Sequence, residues 1–361
     1  MTAAPSERST FKVKVDALAA YPERIDVRTP SEYAIDHIPG AQSHPVLGDT
    51  ERARVGTMHA QDCAFAARRA GAAIVARNIA AMLEGAFADK PRDWAPLVYC
   101  WRGGQRSRSL AHILNEVGWR AAQLEGGYRA FRRNIVALLE TLPQQFRFEV
   151  ICGLTGSGKS RLLAALSAEG AQVLDLEALA RHRGSLLGDL PGQGQPSQKS
   201  FESQLVTALQ RFEPARPVFI ESESRRIGAI QVPVSLLDAM RSARCVRLEL
   251  PRSQRIELLK TEYAHFLVNP AGLAAQLDRL IPLHGKKAVA RWAEAAGAGD
   301  WDDLIGELLE MHYDPVYLRS IGRNFPGIAG AITVAPSAVT DEGFRMLARE
   351  LDATALAQSP V

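Results

Sequence analysis

The sequence predicts an α/β protein of two domains, each built on a parallel sheet, ending in a helical tail. Three observations predict it. Short apolar strands alternate with helical stretches through the first 140 residues, and strands joined in that way lie parallel. A strand followed by a glycine-rich loop and a helix restarts the pattern near residues 140–148. The length, 361 residues, suits two domains at roughly 100–200 residues each. The expected domains are 1–140 and 141–361.

The elements read in order as follows. RIDVR (24–28) is a buried strand, and the Ala-rich stretch 63–87 has helical spacing. PLVYC (96–100) is a strand, SRSLAHILNEVG (107–118) a helix closed by Gly118, and AAQLEGG (121–127) a short strand with a glycine turn. FEVIC (148–152) feeds the glycine-rich run, and SRLLAALSAEG (160–170) is the helix after it. VLDLEAL (173–179), PVFIES (217–222) and CVRLEL (245–250) read as further strands. The Gly-, Pro- and Gln-rich segment 184–198 reads as a mobile loop, and the chain from about 252 as mostly helical.

Composition excludes several classes. The 47% hydrophobic content excludes a mostly disordered chain. No apolar run reaches the ~18 residues of a membrane-spanning helix. Residues 1–10 have neither a basic segment nor an apolar one, so no signal peptide is expected. Cys63, Cys100, Cys152 and Cys245 form no C-x-x-C pair, which fits a reducing cytoplasm rather than a zinc site or disulfide framework. The net charge of +3 is unevenly spread. Residues 225–291 carry twelve Lys or Arg against five Asp or Glu, and 292–361 carry four against eleven. A polyanion-binding face beside an acidic lobe gives this pattern, and so do solvated helix faces with chance clustering.

Y-C-W-R-G-G-Q-R-S (99–107) ends a strand and opens a helix. Cys100 there meets loop amides and the positive end of the helix dipole, with Arg102 and Arg106 beside it, so a reactive thiolate is expected. Gly103 and Gly104 let the loop curl around an anion. The other three cysteines lack this setting and read as structural.

G-L-T-G-S-G-K-S (153–160) fits the phosphate loop G-x-x-x-x-G-K-[ST]. The amides of residues 156–160 are expected to wrap a diphosphate, so Gly153, Gly156, Ser157, Gly158, Lys159 and Ser160 are the binding set. Lys159 would reach the terminal oxygens, and Ser160 would hold Mg²⁺ if a metal is used; no tightly bound cofactor is expected. Glu221 at a strand end is a candidate acid near a metal or water, Asp175, Glu177 and Glu223 further ones; solvated strand ends are the alternative. The base-reading N-K-x-D signature is absent, so the loop need not hold a nucleotide.

D-V-R-T-P-S-E-Y with H-I-P-G-A (26–41), the cysteine loop and E-G-G-Y-R-A-F (125–131) resemble rhodanese domains. The resemblance implies that Cys100 carries sulfur or selenium and that Asp26, Arg28 and the turn at His37 build the scaffold. One departure stands out: five residues, not four, separate Cys100 from Arg106, a wider loop suited to a tetrahedral phosphorus oxyanion. The phosphate loop, L-D-L-E-A-L-A-x-H-R-G-S (174–185) and P-S-Q-K-x-F-E (196–202), together with the domain order, resemble the bacterial tRNA 2-selenouridine synthase family.

That resemblance implies an N-terminal rhodanese-like parallel-sheet domain plus a C-terminal P-loop NTPase-like α/β domain with a helical tail. It implies a cytoplasmic transferase that geranylates wobble 2-thiouridine of tRNA from geranyl diphosphate, then replaces S-geranyl by selenium from selenophosphate. Cys100 would take selenium from that donor, with phosphate held by Arg102 and Arg106. Partners would be tRNA and a selenophosphate-producing enzyme. The basic segment would carry tRNA on Arg225, Arg226, Arg252, Arg255, Lys286 and Lys287. Three other readings stay open: a sulfurtransferase with a fused kinase, a Cys-x5-Arg phosphatase, and a non-catalytic tRNA- or nucleotide-binding module.

Overall fold

The computed structural model describes residues 11–61, 63–185 and 187–357; the first ten residues, on which the signal-peptide reading rests, lie outside them. Contacts divide the chain into two units. One runs to Leu138 and takes in Glu202–Thr207; the other holds Leu139–Phe201 and continues from Ala208.

In the first unit, β1 (Lys12–Val13), β2 (Arg24–Asp26), β3 (Ala41–Ser43), β4 (Leu97–Tyr99) and β5 (Ala122–Leu124) form a parallel sheet in the order β1-β5-β4-β2-β3. The central strand β4 is buried along its length, as a strand of a parallel sheet covered on both faces must be. Ile25, Val27, Val98, Leu110 and Leu114 pack with Ile79 of the helix Ala64–Glu84, Phe87 and Trp94. The helix after β4, Gln105–Val117, stops at Gly118, whose φ of +110° closes it in the left-handed region. Arg28 is 1% exposed because Asp26 takes its Nε and Nη2 at 2.9 and 2.6 Å, and its guanidinium lies 4.0 Å from the Tyr128 ring centroid. A charge can be buried when paired in this way. Tyr128 also donates to Asp36 at 2.7 Å, and Ile38 N–H to the Tyr99 hydroxyl at 3.1 Å. This network is the scaffold that the rhodanese motifs implied.

In the second unit, β6 (Phe148–Cys152), β7 (Gln172–Leu174) and β8 (Val218–Glu221) join a parallel sheet. The short β9 (Arg226–Ile227) and β10 (Ile230–Gln231) form a hairpin outside it. With β11 (Arg244–Leu248) and β12 (Ile332–Val334) the sheet order is β12-β11-β6-β8-β7. The expected strand 173–179 is cut at Asp175, which caps the helix Leu176–Ala180 by accepting from Ala178 N–H at 2.8 Å. An N-cap carboxylate ahead of Leu-Glu-Ala-Leu-Ala outweighs the strand pattern. β12 also departs from the helical reading of the tail: it returns to pair with β11, Val246 opposite Ile332.

The helix Lys159–Ala168 is covered by the last helix, Asp341–Ala357, through Leu162, Leu163 and Leu166 against Phe344, Leu347 and Leu351. Between β11 and β12, helices build a separate apolar cluster around Leu273, Leu277, Leu280, Trp292 and Leu304. Among the described residues no helix is long and apolar enough to cross a membrane.

Candidate active sites

Cys100 follows the central strand of the first sheet and is 3% exposed. Its Sγ accepts from Gly104 N–H at 3.3 Å and from the Ser107 hydroxyl at 3.2 Å. Gly104 caps the following helix without a side-chain cap, so first-turn amides open toward the sulfur. Gln123 takes the opposite side of the loop: its Nε2 donates to the carbonyls of Gly103 and Gly104, each at 3.0 Å, and to Ser107 Oγ at 2.8 Å. The glycine turn of 125–127 presses on the loop. Gly127 has φ +56°, and a Cβ there would lie 2.2 Å from the Cys100 carbonyl oxygen. Arg106 is held by Glu32 at 2.9 Å, and Arg102 is exposed. Burial raises the Glu32 carboxyl, but the bonds from Arg106 and Thr29 outweigh it and leave the pKa below its ordinary value.

The phosphate loop leaves the end of β6. Gly156 and Gly158 adopt left-handed φ values of +78° and +86°, and a Cβ on Gly158 would lie 2.6 Å from Phe344 Cζ. The helix beginning at Lys159 brings orphan first-turn amides to the loop. Ser157 N–H is the exception to the expected wrap, since it donates to Leu154 O at 3.1 Å. Lys159 Nζ donates to Gly153 O at 2.8 Å, and Gly153 N–H to the Tyr317 hydroxyl at 2.7 Å.

Beside the loop, three carboxylates converge. Glu221 ends β8, Glu177 follows β7, and their ligand oxygens and those of Glu223 lie within 4.8 Å of one another. Ser160 Oγ donates to Glu177 Oε2 at 3.4 Å. Glu221 is 1% exposed, and its Oε2 has no hydrogen-bond partner. Burial, then the charge of Glu223, pushes Glu177 up to about 8. Burial also pushes Glu223 up to about 7 and Glu221 well above the carboxylate range. Asp175 is raised by burial too, but its oxygen is spent on the cap. These side chains line a cavity of about 660 Å³ with Lys159, Arg183, Tyr263 and Tyr317. The carboxylates were legible as strand ends; the tyrosines come from the helical tail, where nothing in the sequence marks them.

The expected tRNA-facing residues divide. Arg225, Arg226, Lys286 and Lys287 are exposed, and Arg252 pairs with Glu310 at 3.0 Å. Arg255 is a correction: it is 4% exposed, so it cannot meet a phosphate backbone. Its guanidinium grips both oxygens of Asp314, and its Nε donates to Thr155 O at 2.8 Å, which ties the phosphate loop to the tail.

The rhodanese-like domain family matches residues 14–134, and the family described as tRNA 2-selenouridine synthase AAA domain matches 146–279. The tRNA 2-selenouridine synthase of Aeromonas salmonicida is 34% identical over 82% of this chain and 87% of its own length. The chain belongs to the tRNA 2-selenouridine synthase family. The tRNA 2-selenouridine synthases of Nitrosomonas europaea and Shewanella loihica are 34% and 32% identical, over 72% and 83% of this chain and 67% and 87% of their own lengths. The cysteine loop falls inside the rhodanese-like match, and the phosphate loop with the three glutamates inside the synthase AAA match. The aromatic residues that the tail adds to the cavity beyond 279, among them Tyr313, Tyr317 and Phe325, lie past that match.

Proposed function

We propose that this chain converts wobble 2-thiouridine of tRNA into 2-selenouridine in two steps, one at each loop. In the first, the thiocarbonyl sulfur attacks C1 of geranyl diphosphate and the C–O bond breaks toward diphosphate. Lys159 and the first-turn amides hold that leaving group, which stabilises the charge that develops on it. S-alkylation turns a poor leaving group into a thiol and makes C2 electrophilic. In the second step selenium replaces S-geranyl at C2. Selenium is at the same oxidation level in selenophosphate and in the selenocarbonyl, so the exchange with one water, releasing geranyl thiol and phosphate, needs no oxidant.

The observation that carries this reading is the cysteine sulfur set against two hydrogen-bond donors at an uncapped helix start. Those donors suit an anionic nucleophile and a phosphorus oxyanion in the same loop. Electron balance favours attack at phosphorus, so Cys100 takes the phosphoryl group and not, as the family resemblance implied, the selenium: selenide leaves to meet C2, and water hydrolyses the cysteinyl phosphate. Attack at selenium would expel phosphorus two electrons too reduced to be phosphate.

The donor set of Glu177, Glu221, Glu223 and Ser160 fits Mg²⁺, since an orphaned buried oxygen and two neighbouring carboxylates await a cation. Bound there, the ion would screen the diphosphate charge.

The test is reconstitution with purified protein, 2-thiouridine tRNA, geranyl diphosphate and selenophosphate. S-geranyl nucleoside should form first and be consumed as selenouridine appears. Selenouridine formed at full rate without geranyl diphosphate refutes the order. Lys159→Ala should block the first step and spare the second on tRNA already geranylated.

A further inference from the structure

We propose that an apolar pocket opening beside the phosphate loop holds the hydrocarbon chain of the prenyl diphosphate. The inference rests on the reading above, that the loop holds the diphosphate head. The pocket is lined almost wholly by carbon, from residues such as Leu267, Leu273, Trp301 and Ile305. Thr155 of the phosphate loop, Leu259, Tyr263 and Tyr313 line both this pocket and the larger cavity, so the apolar space continues from the head-group site.

Apart from Thr155 and Leu187, its lining comes from the helical stretch between β11 and β12, chiefly helices Arg252–Glu262, Ala264–Leu267, Pro270–Leu277, Trp301–Leu308 and Leu309–Tyr313. None belongs to the sheet that carries the phosphate loop. A nucleoside would need several donors and acceptors on this side, and the side chains of the lining offer only the hydroxyls of one threonine and two tyrosines and the Trp301 indole N–H. A branched hydrocarbon needs none.

Size narrows the occupant further. The pocket gives about 70 Å³ to the centre of a water-sized sphere, against the ~10–15 Å³ that admits one water. That space takes a terminal isoprene unit, with the unit next to the diphosphate lying in the larger cavity. Each buried methylene is worth about a fourfold gain in affinity. A second unit adds five carbons, about a thousandfold at that rate, and the cost of ordering its rotors lowers the expected gain over a one-unit chain with the same head to about a hundredfold.

The experiment is calorimetric titration of the full-length protein with geranyl diphosphate, dimethylallyl diphosphate and inorganic pyrophosphate. Ile305 and Leu267 are only half-buried, so Ile305→Trp and Leu267→Trp can fill the pocket without opening the core. Each should weaken geranyl diphosphate about thirtyfold or more and leave the other two probes within about twofold. Unchanged geranyl diphosphate affinity in both variants, with pyrophosphate binding intact, overturns the pocket and leaves the phosphate-loop reading standing. Equal loss of all three probes in both variants also overturns it, because the pocket would not then be separable from the head-group site. Pyrophosphate that binds Lys159→Ala as tightly as wild type overturns the head-group reading itself.

Discussion

Replacing Arg255 with methionine keeps most of the side chain's length and removes the guanidinium. That group donates to the two Asp314 oxygens at 2.9 and 2.6 Å and to Thr155 O at 2.8 Å. The Arg255 side chain is 5% exposed and that of Asp314 23%. Removing one partner of a buried pair costs ~3–5 kcal/mol, because the other charge is left behind. Asp314 keeps some water, which puts the loss near the lower end, about 3 kcal/mol. At ~2–4 °C per kcal/mol for a unit of this size, the second unit should melt about 6–12 °C lower by calorimetry. Asp314→Leu in the same protein should recover much of that loss, since no uncompensated charge remains. Binding of tRNA by the folded fraction should keep its affinity and its salt dependence. A melting temperature within about 2 °C of wild type, joined to weaker tRNA binding with a shallower salt slope, would put Arg255 on the nucleic acid and refute the structural role.

In protein kept free of divalent cations by a chelator, the raised carboxyls set a pH dependence. Glu177 at about 8 and Glu223 at about 7 hold protons that an unfolded chain releases near the ordinary value of 4.5. At these two groups the folded state binds more protons between those limits, so their contribution to stability falls as pH rises through that window. Glu223→Gln should therefore gain melting temperature relative to wild type as pH rises through that window, and a difference between the two that does not change with pH contradicts the burial argument. Gly127→Ala would place a Cβ against the Cys100 carbonyl at a left-handed φ, so selenium insertion should be lost while geranylation persists; nucleoside mass spectrometry reads both. Arg106→Ala and Arg102→Ala should each slow selenophosphate-dependent transfer ~10–100-fold, the rate equivalent of losing a charge-assisted contact. Unchanged selenophosphate kinetics in both would reject their role in holding the donor.

Wherever function forces a local pattern, the chain announces it. The cysteine loop and phosphate loop need glycine at positive φ and charge at fixed spacing, so both were legible residue by residue. The apolar strands that feed them and the helices that follow were equally plain. β1 and β3 were missed because Lys-Val and Ala-Gln-Ser lack the apolar run that marks equally short strands such as Leu-Val-Tyr of β4. Asp175 was read inside a strand because a cap and a strand end look alike until the next turn is seen. Arg255 shows the limit of charge counting. An arginine in a basic segment is indistinguishable by sequence from one that folds inward to meet Asp314, 59 residues away. Tyr317 and the pocket residues were invisible for the same reason: the tail reaches the site by tertiary packing, and its helical periodicity says only that one face is buried.

The central claim is a division of labour, with prenyl transfer at the phosphate loop and release of selenide from its donor at Cys100. Its most direct measurement is mass spectrometry of wobble nucleosides from cells that carry Cys100→Ser as their only copy. The account predicts that S-geranyl-2-thiouridine accumulates and 2-selenouridine vanishes. Cells carrying Lys159→Ala should show neither, retaining 2-thiouridine. Normal 2-selenouridine in Cys100→Ser cells, or loss of S-geranyl nucleoside together with selenouridine while the protein remains folded and binds tRNA, would contradict it.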